Sequence, residues 1–269
     1  MKKKKILFVS YGVNPYVNGS VCASESFKLL KKVNSAGNEV RMFMPRYGHI
    51  NERKYQLHEV IRLSGMNIVV DDTDHPLIVK VASIPNERLQ VYFIDNEEYF
   101  KRKKLFEDDK GIMFKDNDER ILFFIKSVLE TVKNSNWIPD IIHIHGWLGY
   151  LLPFYLNTHY KNDPAFSSIK IVVSVYNDYF HGVMDSIADK MKYDGIPNEK
   201  IGYFDTADYS SLLKSAIDNS HFVIKGELEE FDDNIKNILE KYPDLDVLQS
   251  PEDDKEYVSF YQELYAKDM

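Results

Sequence analysis

The sequence predicts a doubly wound α/β domain, and three observations predict it. Short apolar runs recur along the chain, each one strand long. Helical patterns separate most of them. The run at Ile169–Val175 is nearly continuously apolar, as expected of a strand covered on both faces.

Taken in order, Ile6–Val9 is the first strand, followed by a polar loop holding Gly12, Asn14, Pro15 and Gly19. Phe27, Leu29, Leu30 and Val33 give a helix over Glu25–Val33 its apolar face; Gly37 ends it and Val40–Met44 is the next strand. Strand, helix and strand with short connections imply a parallel pair with a right-handed crossover. Leu77–Ile84 and Leu89–Ile94 flank Pro85–Arg88 and predict an antiparallel hairpin inserted in the parallel domain. Ile121, Phe124, Ile125, Val128, Leu129 and Val132 mark a helix over Glu119–Lys133. Asp140–His145 is a buried strand, Trp147–Tyr160 a helix and Ile169–Val175 another strand. Ser210–Ile217 reads as helix, Phe222–Ile224 as a short last strand, and Glu227–Lys241 and Lys255–Ala266 as helices. Together these elements specify a Rossmann-like doubly wound, mainly parallel sheet with an inserted β-hairpin. The expected division is a domain over 1–242, a linker over 243–254 and a C-terminal helix over 255–269. In that helix Tyr257, Phe260, Tyr261, Leu264 and Tyr265 form one stripe, which is expected to pack back on the domain.

Composition narrows the function classes. The chain has 269 residues, one cysteine, a formal charge of −8 and 44% hydrophobic residues. That content suits a globular core and is too high for disorder. Cys22 alone cannot close an internal disulfide, which fits a reducing cytoplasm. The acidic balance argues against a nucleic-acid binder, and Ile6–Val9 is too short for a membrane span or signal-peptide core. No membrane contact and no cofactor are expected.

Several segments resemble the N-terminal half of the bacterial glycogen and starch synthases, glucosyltransferases built from two Rossmann-like domains facing a cleft. They are KILFVS at Lys5–Ser10, MPRYG at Met44–Gly48, DNEEYF at Asp95–Phe100, KDNDER at Lys115–Arg120 and HIHGW at His143–Trp147. The resemblance runs from about Lys5 to Asn177 and implies glucosyl transfer from ADP-glucose to an α-1,4-glucan. In that family the nucleotide is held by a C-terminal domain, and nothing after Ile224 has the β–α alternation for a second Rossmann domain.

The resemblance also places a ligand cleft at the sheet's carboxyl edge, lined by Asn18, Gly19, Phe114, Asn117, His145, Gly146, Trp147, Tyr176 and Asn177. Several of these depart from the family pattern. Where the family has K-T-G-G-L, whose lysine stabilises the donor phosphates, this chain has Asn18-Gly19-Ser20-Val21, and no Lys or Arg lies from Ile6 to Ser26. An ordinary βα turn explains that glycine as well as a phosphate site does. Where the family has H-x-H-D-W, with the aspartate toward the acceptor sugar, Gly146 offers neither charge nor hydrogen bond. His143 and His145 point to one face of their strand; core packing explains His143, while His145 stands where a sugar would lie. Two histidines make no metal site. Tyr176 replaces a family histidine, and with an ordinary pKa near 10 it is no neutral-pH acid or base. Tyr176 and Tyr179 have rings suited to stack on a sugar, although packing is the commoner role of such aromatics. Phe114 replaces a tyrosine and loses its hydroxyl. Asp116 or Asn117 suits a helix N-cap, Asp95–Phe100 reads as a turn and cap, and Asp71, Asp72 and Asp74 as a solvated loop.

No catalytic residue is therefore assigned. The expectation is a synthase-like protein of glucan metabolism whose chain alone is inactive and which binds α-glucan or another glycogen-metabolism protein. The alternative is an unrelated small-molecule site at the same sheet edge.

Overall fold

In the computed structural model, residues 3–184, 186–225, 231–242, 248–249 and 260–261 are described. The elements in chain order are β1 (Lys5–Ser10), α1 (Val21–Ser35), β2 (Glu39–Pro45), α2 (Glu52–Tyr55), β3 (His58–Glu59), β4 (Asn67–Val70), β5 (Thr73–Pro76), β6 (Ile78–Ser83), β7 (Gln90–Asp95) and α3 (Glu97–Phe100). They continue as α4 (Asn117–Asn134), β8 (Ile141–His145), α5 (Leu152–Asn157), β9 (Lys170–Val175), α6 (Ile187–Tyr193), α7 (Asn198–Ile201), α8 (Tyr209–Asp218), β10 (Phe222–Lys225), α9 (Asp233–Leu239) and β11 (Leu248–Gln249).

Nine strands form one sheet in the order β11-β10-β9-β8-β1-β2-β7-β6-β3. β11 through β7 in that order run parallel, and β6 runs antiparallel to both of its neighbours, β7 and β3. All five predicted parallel strands lie in this sheet. β1 is central, pairing Ile6 with Val40 of β2 on one side and with Ile141 of β8 on the other. Every residue of β8 is buried, as a strand covered on both faces requires.

The predicted hairpin is β6–β7, with Ile78 opposite Asp95 and Ser83 opposite Gln90. Because β7 also pairs in parallel with β2, the hairpin extends the main sheet through its own second strand. A separate hairpin, β4–β5, occupies the stretch predicted as a solvated loop. Asp71 makes its turn at φ 58° and Asp72 and Asp74 are exposed, so the carboxylates are solvated as expected but on a hairpin.

Several helix boundaries differ from the sequence reading, for local reasons. α1 starts at Val21, four residues earlier, because Ser20 Oγ accepts a hydrogen bond from Ala23 N and caps it. Asp116 holds the N-cap position of α4 but makes no side-chain cap bond. Its carboxylate instead accepts two hydrogen bonds from Arg102, both 2.7 Å. Asn96 does cap α3, accepting from Glu98 N and Tyr99 N. Trp147–Tyr160 is not one helix: a single 3-10 turn at Trp147–Gly149 precedes α5. Pro153 is the cause. It has no N–H, and its ring opposes the carbonyl four residues back, so a helix can start at it but not run through it. α9 covers Asp233–Leu239, and residues 226–230 of the predicted helix lie outside the described residues.

The 243–254 linker lies outside the described residues except for β11, as does most of 255–269. Within it Phe260 and Tyr261 are buried. The Phe260 ring meets Phe222 edge-on at 5.9 Å, and the Tyr261 hydroxyl is hydrogen-bonded to His143 Nδ1. Among the described residues, no helix is long and apolar enough to cross a membrane.

Candidate functional site at the carboxyl edge of the sheet

β1 has its chain neighbour β2 on one side and β8 on the other, so the connections leave it in opposite directions. In doubly wound sheets the crevice at such a switch point takes the ligand. The loops after β1, β8 and β9 meet here.

Inside the sheet, below the loops, lies a histidine pair. His143 and His145 are fully buried with ring centroids 4.1 Å apart, and both lie against Phe8 of β1. His143 Nε2 is 2.8 Å from Ser174 Oγ on β9, which makes this a structural histidine, as the sequence suggests. His145 Nδ1 is 2.7 Å from the Tyr176 hydroxyl, while its Nε2 has no partner among the described residues. Burial holds His143 well below the ordinary imidazole pKa, with His145 adding to the effect, and pushes His145 down to about 3. Both rings are neutral at pH 7. His145 is covered by Tyr176, so the exposed ring at this point is half-buried Tyr176 and not the histidine.

Gly146 is the pivot of the site. Its φ of 80° is a backbone conformation that L side chains rarely adopt. A Cβ added there meets Tyr11 Cε1 at 2.4 Å, Tyr11 Cδ1 at 2.6 Å and Asp178 Oδ2 at 2.9 Å. The Tyr11 ring thus occupies the space that a side chain at position 146 would need. Tyr11 is held there by its hydroxyl, 2.9 Å from Ser20 Oγ, and by an edge contact with Phe106 at 5.3 Å. Asp178 is half-buried and anchors the neighbouring loop. Its Oδ2 accepts from Trp147 N at 3.3 Å and its Oδ1 from the Tyr209 hydroxyl at 2.9 Å. Burial pushes the Asp178 carboxyl up to about 7, against the lowering effect of these bonds. Trp147 is buried between Phe106 at 4.4 Å and Phe180 at 4.7 Å.

The structure brings His145, Gly146, Trp147 and Tyr176 together and places the other expected residues around them. Asn18 and Gly19 are exposed on the first loop, Gly19 at φ 81°, and Asn18 Nδ2 donates to Pro15 O at 3.3 Å. Asn117 is buried: its Nδ2 donates to Phe106 O at 2.8 Å and its Oδ1 accepts from Arg120 at 2.6 Å, so it braces the loop carrying Phe106. Phe114 lies half-buried between the guanidinium groups of Arg102 at 4.6 Å and Arg120 at 5.5 Å. Asn177 is exposed, and its Oδ1 accepts from Asp232 N at 2.9 Å. Tyr176 and Tyr179 do not pair as one platform. Tyr176 stacks toward His145, whereas Tyr179 packs on Tyr209 at 4.9 Å and on His181 at 5.0 Å.

Tyr11, Asp178 and Tyr209 were missed from sequence. Asp178 follows Asn177, which the resemblance places in the cleft, but nothing in its spacing shows that its carboxyl turns inward.

Chemically, the site offers aromatic surface, hydroxyls, backbone N–H groups and one carboxyl that titrates near neutrality. Among the described residues no three His, Cys, Asp or Glu side chains are grouped to hold a metal.

The family model for the starch synthase catalytic domain matches residues 5–226. A glycogen synthase of Chlorobium limicola is 42% identical over 181 residues, which is 67% of this chain and 37% of that protein. One from Chlorobium luteolum is 37% identical over 219 residues, 80% of this chain and 44% of that protein. The chain therefore spans less than half the length of these curated relatives. In fold it is similar to the catalytic domain of starch synthase IV from Arabidopsis thaliana, solved with ADP and acarbose. The TM-score is 0.75 at 16% identity, covering 92% of this chain and 51% of that one. The extent of the family match and the identity to these synthases place the chain in the starch synthase catalytic domain family.

Proposed function

We propose that this chain binds α-glucan, or a partner protein of glycogen metabolism, at the carboxyl edge of its sheet and does not itself transfer glucose. The observation that carries this reading is at Gly146. The family's acidic position has no side chain, its backbone is at φ 80°, and the Tyr11 ring fills the space. Three further features support it. No Lys or Arg lies in the chain from Ile6 to Ser26, so the first loop supplies no cation to a departing diphosphate. Removing one preorganised charge-stabilising donor typically costs about 10²-fold or more in rate. The histidines of β8 are buried and neutral, and Tyr176 covers His145. The aromatic surface at Phe106, Tyr176 and Phe180 remains suited to stacking on sugar rings. The single cysteine, Cys22, fits a cytoplasmic location.

The test is a pair of assays on the purified chain: co-sedimentation with glycogen, and glucosyl transfer from ADP-glucose to glycogen. Co-sedimentation without transfer is expected. Turnover that a change of Asp178 or Tyr176 abolishes overturns the inactive reading. Loss of both binding and transfer favours an unrelated small molecule at this edge.

A further inference from the structure

We propose that His75 is held as an imidazolium between α3 and α4, and that loss of its second proton frees Glu98 and loosens the β4–β5 hairpin. His75 lies on β5 and is buried. Its Nδ1 is 3.0 Å from Glu98 Oε2, and its Nε2 is 2.9 Å from the Tyr99 hydroxyl. That hydroxyl is in turn 3.1 Å from Glu119 Oε2. Three short links thus join Glu98, His75, Tyr99 and Glu119 in series. Each link needs one proton, and an ionised carboxylate supplies none. Tyr99 supplies one: burial, with Glu119 beside it, pushes its phenol up, so it stays protonated. A neutral imidazole supplies one more and leaves two acceptors face to face at the remaining link. An imidazolium supplies two and fills all three. Neither carboxylate is the natural carrier of the third proton. The Glu98 side chain is 65% exposed to water, and Glu119 accepts from Lys190 at 2.8 Å.

Charge points the same way. Arg102 is bound to Asp116 by two 2.7 Å bonds and lies in the field of Glu98. Arg120 Nε donates to Tyr99 O at 2.9 Å, and Lys190 of α6 bridges Asp118 and Glu119. Glu97 of α3 pairs outside this group with Lys101. Asp74, the neighbour on β5, is exposed, and Ile68 opposite His75 on β4 is apolar. Glu98, Asp116, Asp118 and Glu119 therefore stand against three fixed cations, Arg102, Arg120 and Lys190, and a protonated His75 is the fourth. When that proton leaves, the outer link breaks. Lys190 keeps Glu119 in place, while the exposed Glu98 turns into water. Asn96 Nδ2 still donates to Pro76 O at 3.0 Å, so the hairpin loosens and does not detach. The contribution of the clamp to stability is full below about pH 6.5, where an unfolded histidine titrates, and is lost as pH rises through the folded midpoint.

The experiment follows the ring nitrogens of His75 by NMR in the full chain from about pH 5 to about pH 9, with His75→Gln identifying its signals. If that variant does not fold, the ring is assigned through its contacts with Tyr99 and Phe123. Both nitrogens are expected to carry protons at pH 7. Glu98→Gln is the deciding variant, because its amide donates to Nδ1 and a neutral ring then fills all three links. Its His75 is expected to hold a proton on Nε2 alone at pH 7, with a midpoint about one pH unit or more below that of wild type, the effect of removing an adjacent opposite charge. Hydrogen-exchange protection over residues 67–75, corrected for intrinsic exchange, is expected to fall about tenfold across the wild-type midpoint and to stay level in Glu98→Gln. A wild-type ring with one proton at pH 7, equal midpoints in the two proteins, or level protection across the wild-type midpoint would each overturn the proposal.

Discussion

At the β6–β7 edge of the sheet, Lys80 Nζ lies 2.7 Å from Glu52 Oε1 and 2.9 Å from Asp95 Oδ2, and Arg46 Nε lies 3.0 Å from Asp95 Oδ2. Behind the sheet, Lys190 bridges Asp118 and Glu119 at 2.7 and 2.8 Å, and Lys126 pairs with Asp194. The loops after β1, β8 and β9 are different. No cation acts on Asp178, and His145 Nε2 has no hydrogen-bond partner, both among the described residues. Where side chains only hold the fold together, the buried charges are matched, because an unmatched one is costly. At the candidate site a buried carboxyl has no cation beside it and its pKa is raised, a pattern common at functional sites.

Three variants sharpen this contrast, and the largest effect belongs to the matched region. Lys126→Met should leave Asp194 buried beside only the Tyr155 hydroxyl, since the two paired side chains are 7% and 8% exposed. The expected loss is about 3 kcal/mol of unfolding free energy, read from urea melts. A loss near zero would mean that the matched charges contribute nothing and that the contrast is only apparent.

Gly146→Asp restores the residue the family carries at this position and should be the next most damaging. A side chain at φ 80° costs about 1–3 kcal/mol in the backbone, and the overlap with the Tyr11 ring costs about as much again. Adding Tyr11→Ser should recover the packing part and leave the backbone part. A Gly146→Asp protein that melts with wild type would show that Tyr11 moves aside freely and that the cleft is open.

The smallest effect is on pH dependence. Asp178 has a folded-state pKa of about 7, above the roughly 3.9 of an unfolded aspartate. Between these values the folded chain binds more protons than the unfolded one. This group's contribution is therefore most favourable below pH 4 and falls as pH rises from about 4 to about 7, then stays level. Asp178→Asn should remove that slope and be neutral or stabilising at pH 8, the opposite of Lys126→Met. An unchanged slope across urea melts from pH 5 to pH 8 would show that the carboxyl is not buried in the way described.

Much of the fold was legible because burial on both faces of a parallel sheet demands mostly apolar runs; Ile6–Val9 is one, and Ile141–Ile144 and Ile171–Val175 are each interrupted by a single polar residue. The β4–β5 hairpin was not, because four-residue strands closed by Asp71 and Asp72 carry more turn signal than strand signal. The proline behind the break at Pro153 is visible in the sequence, but the 3-10 turn before it depends on how the loop after β8 packs. At the candidate site, Gly146 and Tyr176 were found because they depart from a motif. Tyr11 was passed over because it lies just after β1, outside any motif, and its effect is felt across the sheet at β8.

The sequence by itself determined the five main parallel strands, the family, the missing cation of the first loop and the missing side chain at position 146. These depend on residue type and short-range spacing alone. Only the tertiary structure decided that Tyr11 fills the space above Gly146, that Asp178 turns inward onto Trp147 and Tyr209, that Asp116 serves Arg102 and not the helix cap, and that Arg120 Nη2 is buried without a hydrogen-bond partner among the described residues. Each of these depends on residues brought together from different loops. Local pattern carries no information about which of several competing partners a buried polar group will meet.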